Sequence, residues 1–88
     1  MNKFKFSQAI YKDVQTDFAT RASFVEGTVE IEAFDNGYAK FNITLMTGDS
    51  RVSVLCQDYE ITDAGKGVTG IYLYFENEIQ GEIFLFKI

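Results

Sequence analysis

From Phe24 onward, apolar and polar residues alternate along the chain with a period of two. Val25, Val29, Ile31 and Ala33 alternate with Glu26, Thr28, Glu30 and Glu32. After Asp35-Asn36-Gly37 the pattern resumes as Ala39, Phe41, Ile43 and Leu45 against Lys40, Asn42 and Thr44. This spacing sends one set of side chains to each face of a strand. Before Phe24 the spacing is four: Phe6, Ile10, Val14, Phe18 and Ala22. That is one stripe of an amphipathic helix, with Lys12, Asp13, Gln15, Thr16 and Arg21 off the stripe and Ser7 at the N-cap. The pattern predicts a helix over about 7–22, led in by a short extended Lys3–Phe6. Thr16, Thr20 and Ser23 are weak helix formers within or beside it.

Turn chemistry sets the registers. Asn36-Gly37 suggests a two-residue hairpin turn, but that loop would set Ile31 opposite Asn42 and mix the two faces. A three-residue loop, Asp35-Asn36-Gly37, pairs Ile31 with Phe41, Val29 with Ile43 and Glu32 with Lys40, and gives Gly37 the left-handed position. Next, a two-residue Gly48-Asp49 turn pairs Leu45 with Val52, Ile43 with Val54 and Phe41 with Cys56. Glycine at its first position suits type II′. Cys56 is then an inert core thiol. Asp63-Ala64-Gly65-Lys66-Gly67 is a turn, since its Gly-Lys lacks both the Ser or Thr and the upstream glycine of a phosphate loop. A final hairpin, Val68–Glu76 with Ile79–Ile88, closes around Glu76-Asn77-Glu78 and pairs Leu73 with Gly81 and Ile71 with Ile83. The expected fold is α+β: an N-terminal helix packed on a five-stranded antiparallel β-meander over about 24–88, a curved sheet or half-barrel in one domain, 1–88.

One helix covers one face of such a sheet. Ile71, Leu73, Phe75, Ile79, Ile83 and Leu85 supply the covered face of the last hairpin. The opposite side still carries Tyr72, Tyr74, Phe84, Phe86 and Ile88, and Phe34, Tyr38, Met46, Leu55 and Tyr59 extend it on earlier strands. Burying one such side chain is worth roughly 1.5–3 kcal/mol, so a wet aromatic face needs an explanation. Three remain open: the sheet curls and buries the face internally, two copies pair through it as a homodimer, or another protein docks there.

Charge narrows the partners. The chain has 13 acidic and 8 basic residues, a net charge of −5. Residues 1–21 carry Lys3, Lys5, Lys12 and Arg21 against Asp13 and Asp17, a sum of +2, so residues 22–88 sum to −7. Phosphate-backbone binding draws its affinity from Lys and Arg, which argues against direct nucleic-acid binding. Glu26, Glu30 and Glu32 along the first strand, with Asp35, Asp49, Asp58, Glu60 and Asp63 near strand ends, instead suit a basic protein groove.

Composition removes most chemistry. There is no histidine, and the single cysteine forms no intramolecular disulfide. Glu30 and Glu32 share a face, the minimum for an acid–base pair. They lack any nucleophile, metal spacing or cofactor motif beside them, so no catalysis, cofactor or metal is expected. Asn42-Ile43-Thr44 matches a glycosylation acceptor by coincidence. No apolar run has the length of a signal peptide or a membrane span, which points to a cytoplasmic protein with no membrane partner. The leading expectation is a small acidic, non-enzymatic protein-interaction module that binds and modulates, most sharply as an inhibitor, a larger basic partner such as a nucleic-acid-processing enzyme. Its partner-binding residues are Glu26, Glu30, Glu32, Tyr72, Tyr74, Glu82, Phe84 and Phe86. The alternative is a homo-oligomeric structural subunit that uses the aromatic face for self-association.

Overall fold

The computed structural model describes residues 2–13 and 20–86. Among them the chain forms seven strands and no helix: β1 (Asn2–Asp13), β2 (Thr20–Ala33), β3 (Phe41–Thr47), β4 (Ser50–Cys56), β5 (Asp58–Gly65), β6 (Val68–Phe75) and β7 (Glu78–Phe86). All belong to one antiparallel sheet in the order β4-β3-β2-β1-β7-β6-β5. The α+β expectation is therefore overturned, and the fold is all-β.

The strand order has a geometric consequence. Every neighbouring pair is antiparallel, including β1 with β7, so stepping along the sheet from β4 to β5 reverses direction an even number of times. β4 and β5 thus run the same way, at opposite edges of the sheet, and only Gln57 separates them in the chain. They are two halves of one bent strand. The sheet must roll round until its edges meet at Gln57. Four hydrogen bonds tie that corner together. The Gln57 amide donates to the Tyr74 carbonyl at 2.9 Å, and the Lys40 amide donates to the Cys56 carbonyl at 3.0 Å. The Gln57 side chain donates to the Tyr38 carbonyl at 3.3 Å and accepts from the Glu76 amide at 2.7 Å.

The roll encloses a core of Phe6, Ala9, Phe24, Val29, Ile31, Ile43, Leu45, Cys56, Ile71, Leu73, Ile83 and Leu85, with Tyr11, Phe41, Tyr59 and Phe75 packed against it. Ile43, Leu45, Ile71, Leu73 and Ile83 are fully buried, each contributing roughly 1.5–3 kcal/mol of apolar transfer. Phe41 and Tyr59 meet edge to face inside, ring centres 5.0 Å apart.

The predicted helix fails for a specific reason. Inward residues of β1 are Phe6 and then Ala9, and of β2 are Phe24 and then Val29, so both strands change parity partway. The break lies at Ser7 and Glu26, which are skipped in an otherwise continuous ladder that runs Phe6 to Gly27 and Gln8 to Val25. Glu26 sits in the left-handed region at φ 48°. One dislocated strand thereby mixes inward spacings of two and three, and apolar residues taken from its two faces together read as a spacing of four. Of the expected stripe, Phe6 is core, Ile10 is half-buried on the opposite face, and Ala22 lies in β2 opposite Tyr11. Val14 and Phe18 fall outside the described residues. Ser7 caps no helix: its hydroxyl donates to the Phe86 carbonyl at 2.7 Å. The Thr47 hydroxyl donates to the Val25 and Glu26 carbonyls and pins the other strand of the kink. Glycine is required at position 27, because a Cβ there would overlap the Met46 carbonyl oxygen and press on the Phe6 ring at 2.9 Å. The same kink turns Val25 outward, 64% exposed, against the alternation that placed it with Val29.

The turns answer the expected registers one by one. Gly48-Asp49 forms as read, with Leu45 opposite Val52, Ile43 opposite Val54 and Phe41 opposite Cys56. The β2–β3 loop is longer than three residues. Ile31 pairs with Ile43, Val29 with Leu45 and Glu32 with Asn42. Asn36 causes the shift: its side-chain oxygen accepts from the Tyr38 and Ala39 amides at 2.8 and 2.7 Å, and Ala39 is buried beneath it. In the last hairpin Leu73 does face Gly81 and Ile71 faces Ile83, but by another route. Glu76 and Asn77, at φ 50° and 66°, make a two-residue turn that pairs Phe75 with Glu78, and an irregularity at Leu73/Tyr74 restores the register. Ile79 is consequently opposite Tyr74 and 40% exposed instead of core.

Candidate protein-docking wall

The expected aromatic residues of β6 and β7 lie on the outside of the roll. Tyr72, Tyr74, Phe84 and Phe86 are each half-buried, while the residues between them face the core. They share the outer surface with the outward residues of β5. Cross-strand registers set Glu60, Tyr72, Glu82 and Lys12 in one row and Thr62, Gly70, Phe84 and Ile10 in the next. Tyr72 is thus flanked on both sides by a carboxylate. Its ring packs edge to face on Phe84, centres 6.3 Å apart. Gly70 makes the room, since a Cβ there would meet Tyr72 and Thr62 at 3.3 Å.

At its far end the wall opens into a cleft of about 430 Å³ beside the Gln57 corner, lined by Gln57, Asp58, Tyr59, Glu60, Tyr74 and Glu76 among others. The Tyr74 hydroxyl donates to Glu60 at 3.5 Å. Desolvation, then the Glu60 charge and that hydrogen bond, with Tyr72 and Asp58 adding, hold the Tyr74 hydroxyl above the ordinary tyrosine range. The cleft was not legible in the sequence. The signal that would have found it is Glu60 opposite Tyr72, visible only after β5 is paired to β6.

Glu30 and Glu32 lie on β2, which β1 separates from the aromatic strands β7 and β6. Glu30 stands between Lys3 and Thr44 in its row, and Glu32 stands beside Asn42. Lys3 and Lys5 of β1 are exposed beside them, and Arg51 is exposed on β4, so this wall is charge-mixed. Glu26 is exposed at the kink, off the Glu30–Glu32 row. Of the extended aromatic face, Tyr59 packs inward on the core and Tyr38 lies on the 34–40 loop against Phe75, ring centres 5.6 Å apart. Met46 and Leu55 sit on the β3–β4 wall, opposite Arg51 and Asn42. Ile88 lies outside the described residues.

Cys56 is fully buried, and burial, then the Asp58 charge, pushes its thiol up to about 11. Such a thiol is not a nucleophile at neutral pH. Among the described residues no group of Asp, Glu and Cys side chains is placed to hold a metal ion, and no helix is long and apolar enough to cross a membrane. No family model, curated protein or solved structure matches the chain.

Proposed function

We propose that the protein is a non-enzymatic interaction module that docks a basic surface of another protein on its β5–β6–β7 wall. The observation that carries this reading is the cross-strand row in which Tyr72 lies between Glu60 and Glu82, with Phe84 packed on its ring. Arginine and lysine stack on aromatic faces, and a flanking carboxylate neutralises the charge the ring attracts. Half-buried tyrosines and phenylalanines supply the rigid anchors that dominate protein interfaces. The cleft at the Gln57 corner, with Asp58, Glu60 and Glu76 around it, extends the same chemistry to a long cationic side chain. Covering a basic surface of a larger protein would also deny that surface to phosphates, which is how such a module would modulate a nucleic-acid-processing enzyme. A second copy is a poor occupant of this wall, because pairing it with itself opposes like carboxylates.

The test is a titration of the labelled protein with an arginine-rich peptide, followed by amide chemical shifts at low and moderate salt. Shifts centred on Tyr72, Tyr74 and Phe84, weakened by Glu60→Gln with Glu82→Gln and abolished by Tyr72→Ala, support the reading. Shifts centred on Glu30 and Glu32, or no binding at low salt, sink it.

A further inference from the structure

The two ends of the sheet are unequal. β5 exposes its edge behind Asp58, Glu60 and Asp63, and an irregularity between Asp63 and Gly65 breaks its ladder. Charges and bulges on an edge strand are the usual means of preventing strand-to-strand association. β4 has neither. Its sequence, SRVSVLC, carries one charge, Arg51, and its pairing with β3 is regular from Phe41–Cys56 to Thr47–Ser50. Among the described residues no strand pairs with its other side.

The hairpin fixes which backbone groups are free. A two-residue turn makes Thr47 and Ser50 a hydrogen-bonded pair, and the pairs then alternate. Val52 and Val54 spend their amides and carbonyls on β3. Arg51, Ser53 and Leu55 direct theirs away from the sheet. The close side-chain approach of Thr44 and Ser53, oxygens 3.0 Å apart, fits the non-hydrogen-bonded pair that this alternation assigns them.

We infer that the β4 edge is a self-association site, which pairs antiparallel with β4 of a second copy about a two-fold axis at Ser53. The register is self-complementary. Ser53 exchanges hydrogen bonds with Ser53 of the second copy, and Arg51 exchanges them with Leu55 of the second copy in both directions. Val52 meets Val54 across the seam on the inner face, where both are only half-buried in one copy. Leu55, 39% exposed in one copy, is covered by the stem of the second copy's Arg51. Charge favours this occupant over the other edge. In a chain of net −5, β4 is the edge strand that carries no carboxylate. Arg51 of one copy also enters the row formed by Leu55, Asn42 and Glu32 of the other. That row places the arriving guanidinium on the side of the sheet that carries Glu32. The site is independent of the docking wall, which stays open in the dimer.

Sedimentation velocity from micromolar to millimolar concentration tests the inference. The wild type dimerises, and the amides of Arg51, Ser53 and Leu55 gain hydrogen-exchange protection as concentration rises. Ser53→Pro removes an amide that faces away from β3, so it spares the fold and raises the dimer dissociation constant at least ~10-fold. Leu55→Lys, which sets a cation opposite Arg51 of the second copy, does the same if the proline variant does not fold. Tyr72→Glu leaves the dimer intact. A wild type that stays monomeric at millimolar concentration, or a dimer that both edge variants spare and Tyr72→Glu dissociates, overturns it.

Discussion

β4 and β5 are halves of one strand, joined through Gln57, yet they present opposite edges. The first half is short of charge and regularly paired; the second carries Asp58, Glu60 and Asp63 and a break in its ladder. Both are amphipathic strands of similar length, so propensity does not separate them. The difference lies in what each edge must avoid. β5 borders the aromatic face of β6, and its carboxylates and broken ladder disfavour an added strand. β4 borders a charge-mixed wall and has no such guard. On the proposed reading, edge chemistry divides the surface into a part kept open and a part left able to pair.

The largest way to break the comparison is to displace the strand that carries β4. Gly27→Ala forces a Cβ into the Met46 carbonyl of β3, where the backbone has no room to give. It should cost about 3 kcal/mol, enough to unfold much of a small domain; urea denaturation measures it, and a loss under 1 kcal/mol would mean the kink relaxes freely.

The joint itself comes next. Gln57→Ala deletes the side-chain bonds to Tyr38 and Glu76 but keeps the amide bond to Tyr74. A loss of about 1–3 kcal/mol is expected, read from the same denaturation curves. Wild-type stability in this variant would show that chain continuity alone holds the two halves together.

A comparable effect appears at high pH on the β4 side of the joint. Burial raises the Cys56 thiol from 9.0 in the unfolded chain to about 11 in the fold. The folded state then holds the proton more tightly, so its contribution is complete below pH 9 and is lost as pH rises through 11. That rise corresponds to roughly 3 kcal/mol at most. The difference between wild-type and Cys56→Val stability profiles over that window isolates it, and parallel profiles would refute the assignment. Tyr11, raised by burial and then by Asp13, changes stability in the same direction.

The smallest effect on stability sharpens the contrast most. Asp58→Thr with Glu60→Val unguards the β5 edge and should change unfolding free energy by less than about 1 kcal/mol. Its readout is assembly: light scattering should show species larger than the dimer, because the chain then has two adhesive edges. Unchanged mass would mean the β5 carboxylates do not guard the edge.

Much of the sheet was legible in the residues. Period-two alternation identified the inward sets of β3, β4 and β6, and Gly48 at φ 54° fixed a register that the structure repeats pair for pair. The outer face of β6 and β7 was legible as an aromatic face on Tyr72, Tyr74, Phe84 and Phe86, because alternation alone decides which side chains share a face. Its acidic flank was legible only in Glu82. Of the carboxylates named from sequence as partner-binding, Glu82 does stand beside Tyr72, whereas Glu26, Glu30 and Glu32 lie on β2, with Glu30 opposite Lys3 once β1 pairs with β2. Those beside Tyr72 come from β5 and β7, and only strand pairing brings them together.

The N-terminal segment shows the same limit. Local spacing cannot distinguish a helix from a strand whose faces exchange at one residue. The exchange at Ser7 and Glu26 is held by Phe86 and Thr47, residues distant in sequence. By itself the sequence determined local matters: which residues alternate, where glycine turns the chain, and that no histidine chemistry is present. Tertiary structure decided the rest, because hydrogen bonds between distant strands, and the edges left when the sheet rolls up, depend on which strand finishes beside which.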